Sequence, residues 1–301
     1  MPRDILSLIG ETPVLELTRI SRNGVRILAK FEALNPSGSI KDVMALYMMN
    51  VAEKKELLRS GMKIVEATSG NTGISFAMLA ALKGYQFVAV MPEYMSAERR
   101  QMMQAFGAQI VLTPAGEGFP GCLRKLDELV ASNPNAWVPR QFDNPDNTAA
   151  HRDITGRKIL EAVQGPIDVF VAGVGTGGTL MGVAEALRRV HPGMQVVAVE
   201  PAESAVMSGG KPGIHRIQGI GPGYVPGLVN MASIDRVIAV TEEEAIDTTR
   251  RLLREEGLMV GISSGANVFA TLEVAAQLNA GNTIVTILPD RAERYLSMNV
   301  L

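Results

Sequence analysis

From about Lys63 onward, short runs rich in β-branched residues alternate with longer stretches whose apolar residues recur at helical spacing. That alternation is the signature of a parallel sheet flanked by helices. The strand runs are KIVEA (63–67), QFVAVM (86–91), QIVLT (109–113), DVFVAG (168–173), QVVAVE (195–200), RVIAV (236–240) and TIVTIL (283–288). Between them lie the helical stretches ISFAMLAALKG, SAERRQMMQAFG, LMGVAEALRRV, EEEAIDTTRRLLREEG and NVFATLEVAAQL. Several end at Gly, where a left-handed cap is least costly. Upstream, VRILAKFEA reads as a further strand, followed by the turn-rich NPSGS and a helix starting near Lys41.

With 301 residues the chain is long enough for two lobes with a cleft, and the turn residues of NPDN (144–147) mark the boundary between two α/β blocks. The segment from Ser204 to Asn230 is dense in Gly and Pro and reads as a long irregular loop, a type of segment that often carries function. Apolar residues make up 47% and charged residues 20% of the chain, an ordinary balance for a folded protein. A net charge of -2 with scattered basic residues gives no footprint for nucleic acid. The start, MPRDILSLIGETP, lacks the pattern of a secretory signal, and apolar runs are interrupted well before bilayer length. A cytoplasmic protein with no membrane association is expected. A single cysteine, Cys122, rules out an internal disulfide and sits in GCLRKLDELV at helical spacing, as a packed small side chain would. His151, His191 and His215 are far apart and lack metal-ligand spacing, so no metal is expected.

Three loop-to-helix junctions look chemical. In the first, DVFVAG runs into GVGTGGT (173–179) and then into a helix. Glycines let backbone N–H groups close on a ligand, and the helix start adds unpaired donors and partial positive charge, which suits phosphate. The hydroxyls of Thr176 and Thr179 could add bonds. Gly173, Gly175 and Gly178 also satisfy a dinucleotide fingerprint, with Glu200 ending the next strand, so a dinucleotide site stays open on these residues alone. In the second junction, KIVEA delivers TSGNTG (68–73) to a helix start, which suits a second anion such as a carboxylate or, more simply, a well-capped helix. In the third, Asn35, Pro36 and Gly38 make a turn that puts Lys41 in the first turn of an apolar helix. The helix dipole disfavours an ammonium there and draws Lys41 toward the neutral, nucleophilic amine, although an isolated lysine at such a place is usually just solvated.

Taken together, IGETPVLELTRI, NPSGSIKD, EATSGNTGI, AGVGTGGTLMGV, KPGIHRIQGIGPGYVPG, EEGLMVGISSGAN and LPDRAERYLS resemble, in order and nearly end to end, the cysteine synthase/cystathionine β-synthase family of fold-type II pyridoxal 5′-phosphate enzymes. The dinucleotide reading explains only one of these segments. The resemblance implies an α/β fold of two lobes, each a mostly parallel twisted sheet flanked by helices, with the active site in the cleft. Residues 40–145 would form a smaller mobile lobe that binds the substrate carboxylate. Residues 1–39 and 146–301 would form the larger lobe that holds the cofactor phosphate.

Where residues match, the family's roles carry over. Lys41 corresponds to the lysine that bears pyridoxal 5′-phosphate as a Schiff base and then works at Cα as a base. Asn71 matches the asparagine bonded to the phenolic oxygen of the cofactor. Thr68, Ser69, Gly70 and Thr72 match the loop that grips the substrate carboxylate, and Gln141 matches an assisting glutamine. Gly175, Thr176, Gly177, Gly178 and Thr179 match the phosphate loop. Ser263 matches the hydroxyl facing the pyridine nitrogen, which leaves the ring a moderate electron sink suited to elimination. The implied reaction is β-replacement on O-acetyl-L-serine by sulfide, giving L-cysteine and acetate; O-phosphoserine, thiosulfate, or serine with homocysteine are alternative reactants. A homodimer is implied, and the C-terminal tail of serine acetyltransferase is a candidate partner. The chain departs from the family pattern at Val43, where Arg is usual, at Arg157 and Lys158 after Thr155 and Gly156, and at Asp290–Arg291–Ala292, which resembles a thiosulfate-accepting subgroup.

Overall fold

A computed structural model describes residues 4–68, 70–93, 95 and 97–298. In chain order the strands are β1 (Val14–Glu16), β2 (Arg26–Phe31), β3 (Lys63–Ala67), β4 (Gln86–Pro92), β5 (Gln109–Thr113), β6 (Ala136–Trp137), β7 (Val169–Gly173), β8 (Gln195–Pro201), β9 (Arg236–Val240) and β10 (Thr283–Leu288). The α-helices are α1 (Lys41–Lys54), α2 (Asn71–Lys83), α3 (Ala97–Ala105), α4 (Gly118–Ala131), α5 (Pro145–Ala150), α6 (Arg157–Ala162), α7 (Gly178–Val190), α8 (Glu242–Glu256) and α9 (Ile262–Ala275). Among the described residues, no helix is long and apolar enough to cross a membrane.

The chain divides into two compact units, one formed by the chain up to Ile40 and from Asn147 onward, the other by Lys41–Asp146. The first unit holds a six-stranded sheet in the order β1-β2-β10-β7-β8-β9, parallel except for the antiparallel pair of β1 and β2. Successive side chains of a strand point to opposite faces, and the core divides accordingly. Ile27, Ala29, Val169, Val171, Val197 and Val199 join one cluster with α8 and α9 residues such as Leu252 and Ala266. Leu28, Phe170, Ala172, Val196 and Ala198 join another, with Leu180, Val183 and Leu187 of α7. With both faces covered, β10 is buried at every residue and its sequence, TIVTIL, is nearly free of polar breaks. Edge strand β9 is exposed at Arg236 and Ala239.

The second unit holds a four-stranded parallel sheet in the order β5-β4-β3-β6. Val65, Ala67, Val88 and Val90 pack against Cys122 and Leu126 of α4. Cys122 is thus a core residue; burial pushes its thiol up from the ordinary value, and it lies 3.2 Å from the Thr113 hydroxyl. Phe76 of α2 stacks on Phe87 and meets Trp137 edge-on. Val43 in α1 is completely buried and serves the core. The strand runs expected from the sequence all appear, VRILAKFEA as β2. The three-residue β1 and two-residue β6 were not expected, being too short to show a period. Residues 205–230 contain no helix or strand, as their Gly and Pro content suggests.

Candidate active site

In the first unit, β7 ends at Gly173 and α7 begins at Gly178, so Val174, Gly175, Thr176 and Gly177 cross the carboxyl edge of the sheet. Gly177 caps α7 in a left-handed conformation (φ 85°) and, being glycine, supplies no side-chain cap bond. A methyl group on Gly175 would collide with the Gly219 carbonyl, one on Gly177 with Val229, and one on Gly178 with the Asn147 amide. The backbone therefore approaches its surroundings as only glycine allows, at the start of a 13-residue helix whose dipole favours an anion. The Asn147 amide donates to Thr176 Oγ1 at 3.0 Å, and Thr176 Oγ1 in turn accepts from Gly178 N at 3.3 Å. Thr179 Oγ1 lies 3.2 Å from Nε2 of the buried His151, whose Nδ1 is 3.0 Å from Thr155 Oγ1. His151 opens a π-helical turn, His151–Gly156, a rare geometry that recurs at functional sites. A cradle with this shape and these donors fits a phosphate.

Ser263 lies in the first turn of α9, whose cap Gly261 supplies no side-chain bond. Its side chain is buried. One turn later, on the same helix face, Asn267 donates to the Ile287 carbonyl of β10, and its Oδ1 would lie 3.0 Å from a methyl on Gly173. Ser263 and the glycine loop are thereby brought to the same edge of the six-stranded sheet. The dinucleotide alternative requires Glu200 for a ribose. Glu200 is instead buried and accepts from Met207 N (2.8 Å), Ser208 N (3.0 Å) and Ser208 Oγ (2.6 Å), tethering the start of the irregular segment.

In the second unit, Lys41 opens α1 and Asn71 opens α2, each partly buried. The buried Asp42 carboxylate, next to Lys41, accepts from Ser75 Oγ at 2.5 Å and ties the first turn of α1 to α2. Gly70 caps α2 without a side-chain bond, and Asn71, Thr72 and Gly73 of TSGNTG form its first turn. Thr68 and Thr72 are buried; Thr72 Oγ1 donates to Gln141 Oε1 at 2.6 Å, so Gln141 and the loop are brought together. Ser69 lies outside the described residues.

Motif reading missed several supporting residues because their roles depend on distant partners. The Asn35 side chain, at the NPSGS turn, accepts from Gly10 N at 2.8 Å and donates to Glu32. Glu32 also accepts from Thr12 Oγ1 at 3.0 Å and lies 3.8 Å from Lys30, in a fully buried ion pair. Arg291 donates to the Ala33 carbonyl and Arg294 to the Ser37 carbonyl, holding the same turn from the chain's far end. Asp290, beside Arg291, is buried and accepts from the Tyr295 hydroxyl.

Residues 5–290 match the family described as pyridoxal-phosphate dependent enzymes. Cysteine synthase of Staphylococcus aureus (strain Mu50 / ATCC 700699) is 45% identical over 296 residues, covering 98% of this chain and 95% of that protein. Among solved structures, a cysteine synthase from Entamoeba histolytica superposes with a TM-score of 0.96 at 41% identity, over 100% of this chain and 90% of the other. An O-ureido-L-serine synthase also superposes at 0.96, with 43% identity and coverages of 100% and 95%. The two α/β sheets, the glycine cradle and this nearly full-length match place the chain in the pyridoxal-phosphate dependent enzyme family.

Proposed function

We propose that this protein catalyses β-replacement, converting O-acetyl-L-serine and sulfide into L-cysteine and acetate. The observation that carries the reading is the 45% identity to a cysteine synthase across nearly the whole chain. When bound, pyridoxal 5′-phosphate supplies an electron sink conjugated to the substrate amino group, which acidifies the Cα proton and lets the β-substituent leave. Residues of this chain do the rest. Gly175, Thr176, Gly177, Gly178 and Thr179 would hold the phosphate at the start of α7, where N–H donors and the helix dipole favour an anion. Lys41 would anchor the cofactor through Nζ, and its released amine takes the proton from Cα and returns it. Asn71 would hold the phenolic oxygen. Ser263 would meet the ring nitrogen with a hydroxyl, which bonds to it without the full protonation a carboxylate enforces. By the family resemblance Thr68, Ser69, Gly70 and Thr72 would bind the substrate carboxylate and Gln141 would orient it; the start of α2, which has no side-chain cap at Gly70, suits an anion. A homodimer in the cytoplasm belongs to the same reading and rests on the family resemblance.

The purified protein, mixed with O-acetylserine, should show a shift of its visible cofactor band that reverses when sulfide is added and cysteine forms. Borohydride treatment of the protein should attach the cofactor to the tryptic peptide containing Lys41. An unchanged band with O-acetylserine would refute the reaction, and label on another lysine would refute the anchor. Asp290–Arg291–Ala292 resembles the thiosulfate-accepting type and KPGIHRIQGIGPGYVP the sulfide-preferring type, so comparing turnover with thiosulfate and with sulfide decides the sulfur donor.

A further inference from the structure

Glu66 is a buried carboxylate that the proposed chemistry does not use, in the strand residue just before the TSGNTG loop and its preceding alanine. Its surroundings follow from a break in the sheet. β6 runs parallel to β3, with Lys63 opposite Ala136 and Ile64 opposite Trp137. Two residues after Trp137 stands Pro139, which has no N–H to continue a ladder, and pairing stops after the first two positions. Arg140 then adopts a left-handed backbone (φ 56°), uncommon for a residue with a side chain. Consecutive N–H groups of Arg140 and Gln141 are turned toward one point, as in an anion-binding nest. Glu66 occupies that point: Oε2 accepts from Arg140 N at 3.1 Å and Oε1 from Gln141 N at 3.2 Å. Behind it the turn is closed by Asp143 N and Asn144 N donating to the Arg140 carbonyl at 3.0 and 2.9 Å. Ahead of it, the Gln141 side chain accepts from Thr72 Oγ1 of α2.

We propose that Glu66 is a positioning residue: its two carboxylate oxygens replace the missing sheet ladder, hold Arg140 in its strained backbone, and thereby place the Gln141 amide against Thr72 of the carboxylate-binding loop. The inference rests on the functional reading only for what Gln141 then does to the substrate. A buried carboxylate left in place at such a position is otherwise unfavourable, since an apolar side chain would be cheaper to bury. Burial pushes the Glu66 carboxyl up to about 7, against the opposing effect of the two backbone hydrogen bonds; the charged groups acting on it are Arg140, which favours its ionised form, and Asp143, which opposes it. Once protonated, one oxygen carries a hydrogen and can no longer receive its N–H with the same strength, so the grip on residues 140 and 141 loosens as pH falls through that value.

The test uses the cofactor-loaded protein and its Glu66→Gln variant, nearly isosteric but able to present only one acceptor oxygen. At pH 8, hydrogen exchange of the segment 139–144 should quicken roughly tenfold in the variant, the equivalent of one lost charge-assisted bond. With O-acetylserine, the variant should raise KM roughly tenfold with a smaller change in kcat, and should lose the wild-type inflection of kcat/KM near neutral pH. Glu66→Gln combined with Gln141→Ala should be no worse in KM than Gln141→Ala alone, because both act through one group. Equal exchange of 139–144 in wild type and Glu66→Gln would overturn the proposal whatever the kinetics, and so would strictly additive effects of the two substitutions. A wild-type protein inert toward O-acetylserine would overturn the functional reading alone, leaving hydrogen exchange to decide the role of Glu66.

Discussion

Glu66 shows how a single side chain can set stability against position. Its carboxyl titrates at about 7 in the folded chain against an ordinary value of 4.5. Between those values the folded state holds a proton that the unfolded state has released. Its contribution to stability is therefore present below the ordinary value and is lost as pH rises through about 7, a swing of about 3 kcal/mol. The melting temperature of wild type relative to Glu66→Gln should accordingly fall between pH 5 and pH 8. A constant difference across that range would mean that Glu66 does not change its ionisation on folding. Lys41, by contrast, has a place that any reader of the sequence could assign, since the NPSGS turn and the apolar helix after it are local features. The network behind that turn, from Lys30 and Glu32 to Asn35, has no local signature, because its partners at Gly10 and Thr12 come from a different stretch of chain.

At the level of elements, the start of α7 and the ends of α2 and α8 put glycine to two uses. Gly84 and Gly257 are left-handed caps with open space where a side chain would go. Replacing either with Ala should cost about 1 kcal/mol of stability and leave cofactor content unchanged. At Gly175 and Gly178 an added methyl meets the Gly219 carbonyl or the Asn147 amide, so the loop itself must shift. Gly175→Ala and Gly178→Ala should keep their far-ultraviolet circular dichroism yet lose bound cofactor, with visible absorbance per protein reduced at least several-fold. Full cofactor content in both variants would rule out the glycine loop as the phosphate site. The glycine pattern alone was compatible with phosphate or dinucleotide. The hydrogen bonds of Glu200 to Met207 and Ser208 separate the two, since they commit the one carboxylate the dinucleotide needs.

For the whole molecule, a ligand that binds only the folded chain stabilises it by mass action. Stripping the cofactor with hydroxylamine should lower the melting temperature, and adding pyridoxal 5′-phosphate at about a hundred times its dissociation constant should restore about 2.7 kcal/mol. Identical melting of the stripped and loaded proteins would show that the folded chain makes no differential contact with it. Residue order alone decided the features whose cause lies within a few positions: β-branched runs for the parallel strands, helical spacing between them, glycines and hydroxyls at the junctions, and Cys122 on an apolar helix face. Contacts across the fold decided the rest. β1 and β6 exist because a neighbouring strand offers them a ladder, not because three or two residues prefer to be extended. Glu66, Asn147 and His151 read as ordinary polar residues in the sequence, and each acquires its role from a group far along the chain: Gln141, Thr176 and Thr179. Local conformational preference can be read residue by residue, whereas the satisfaction of a buried polar atom depends on which distant partner the folded chain brings to it.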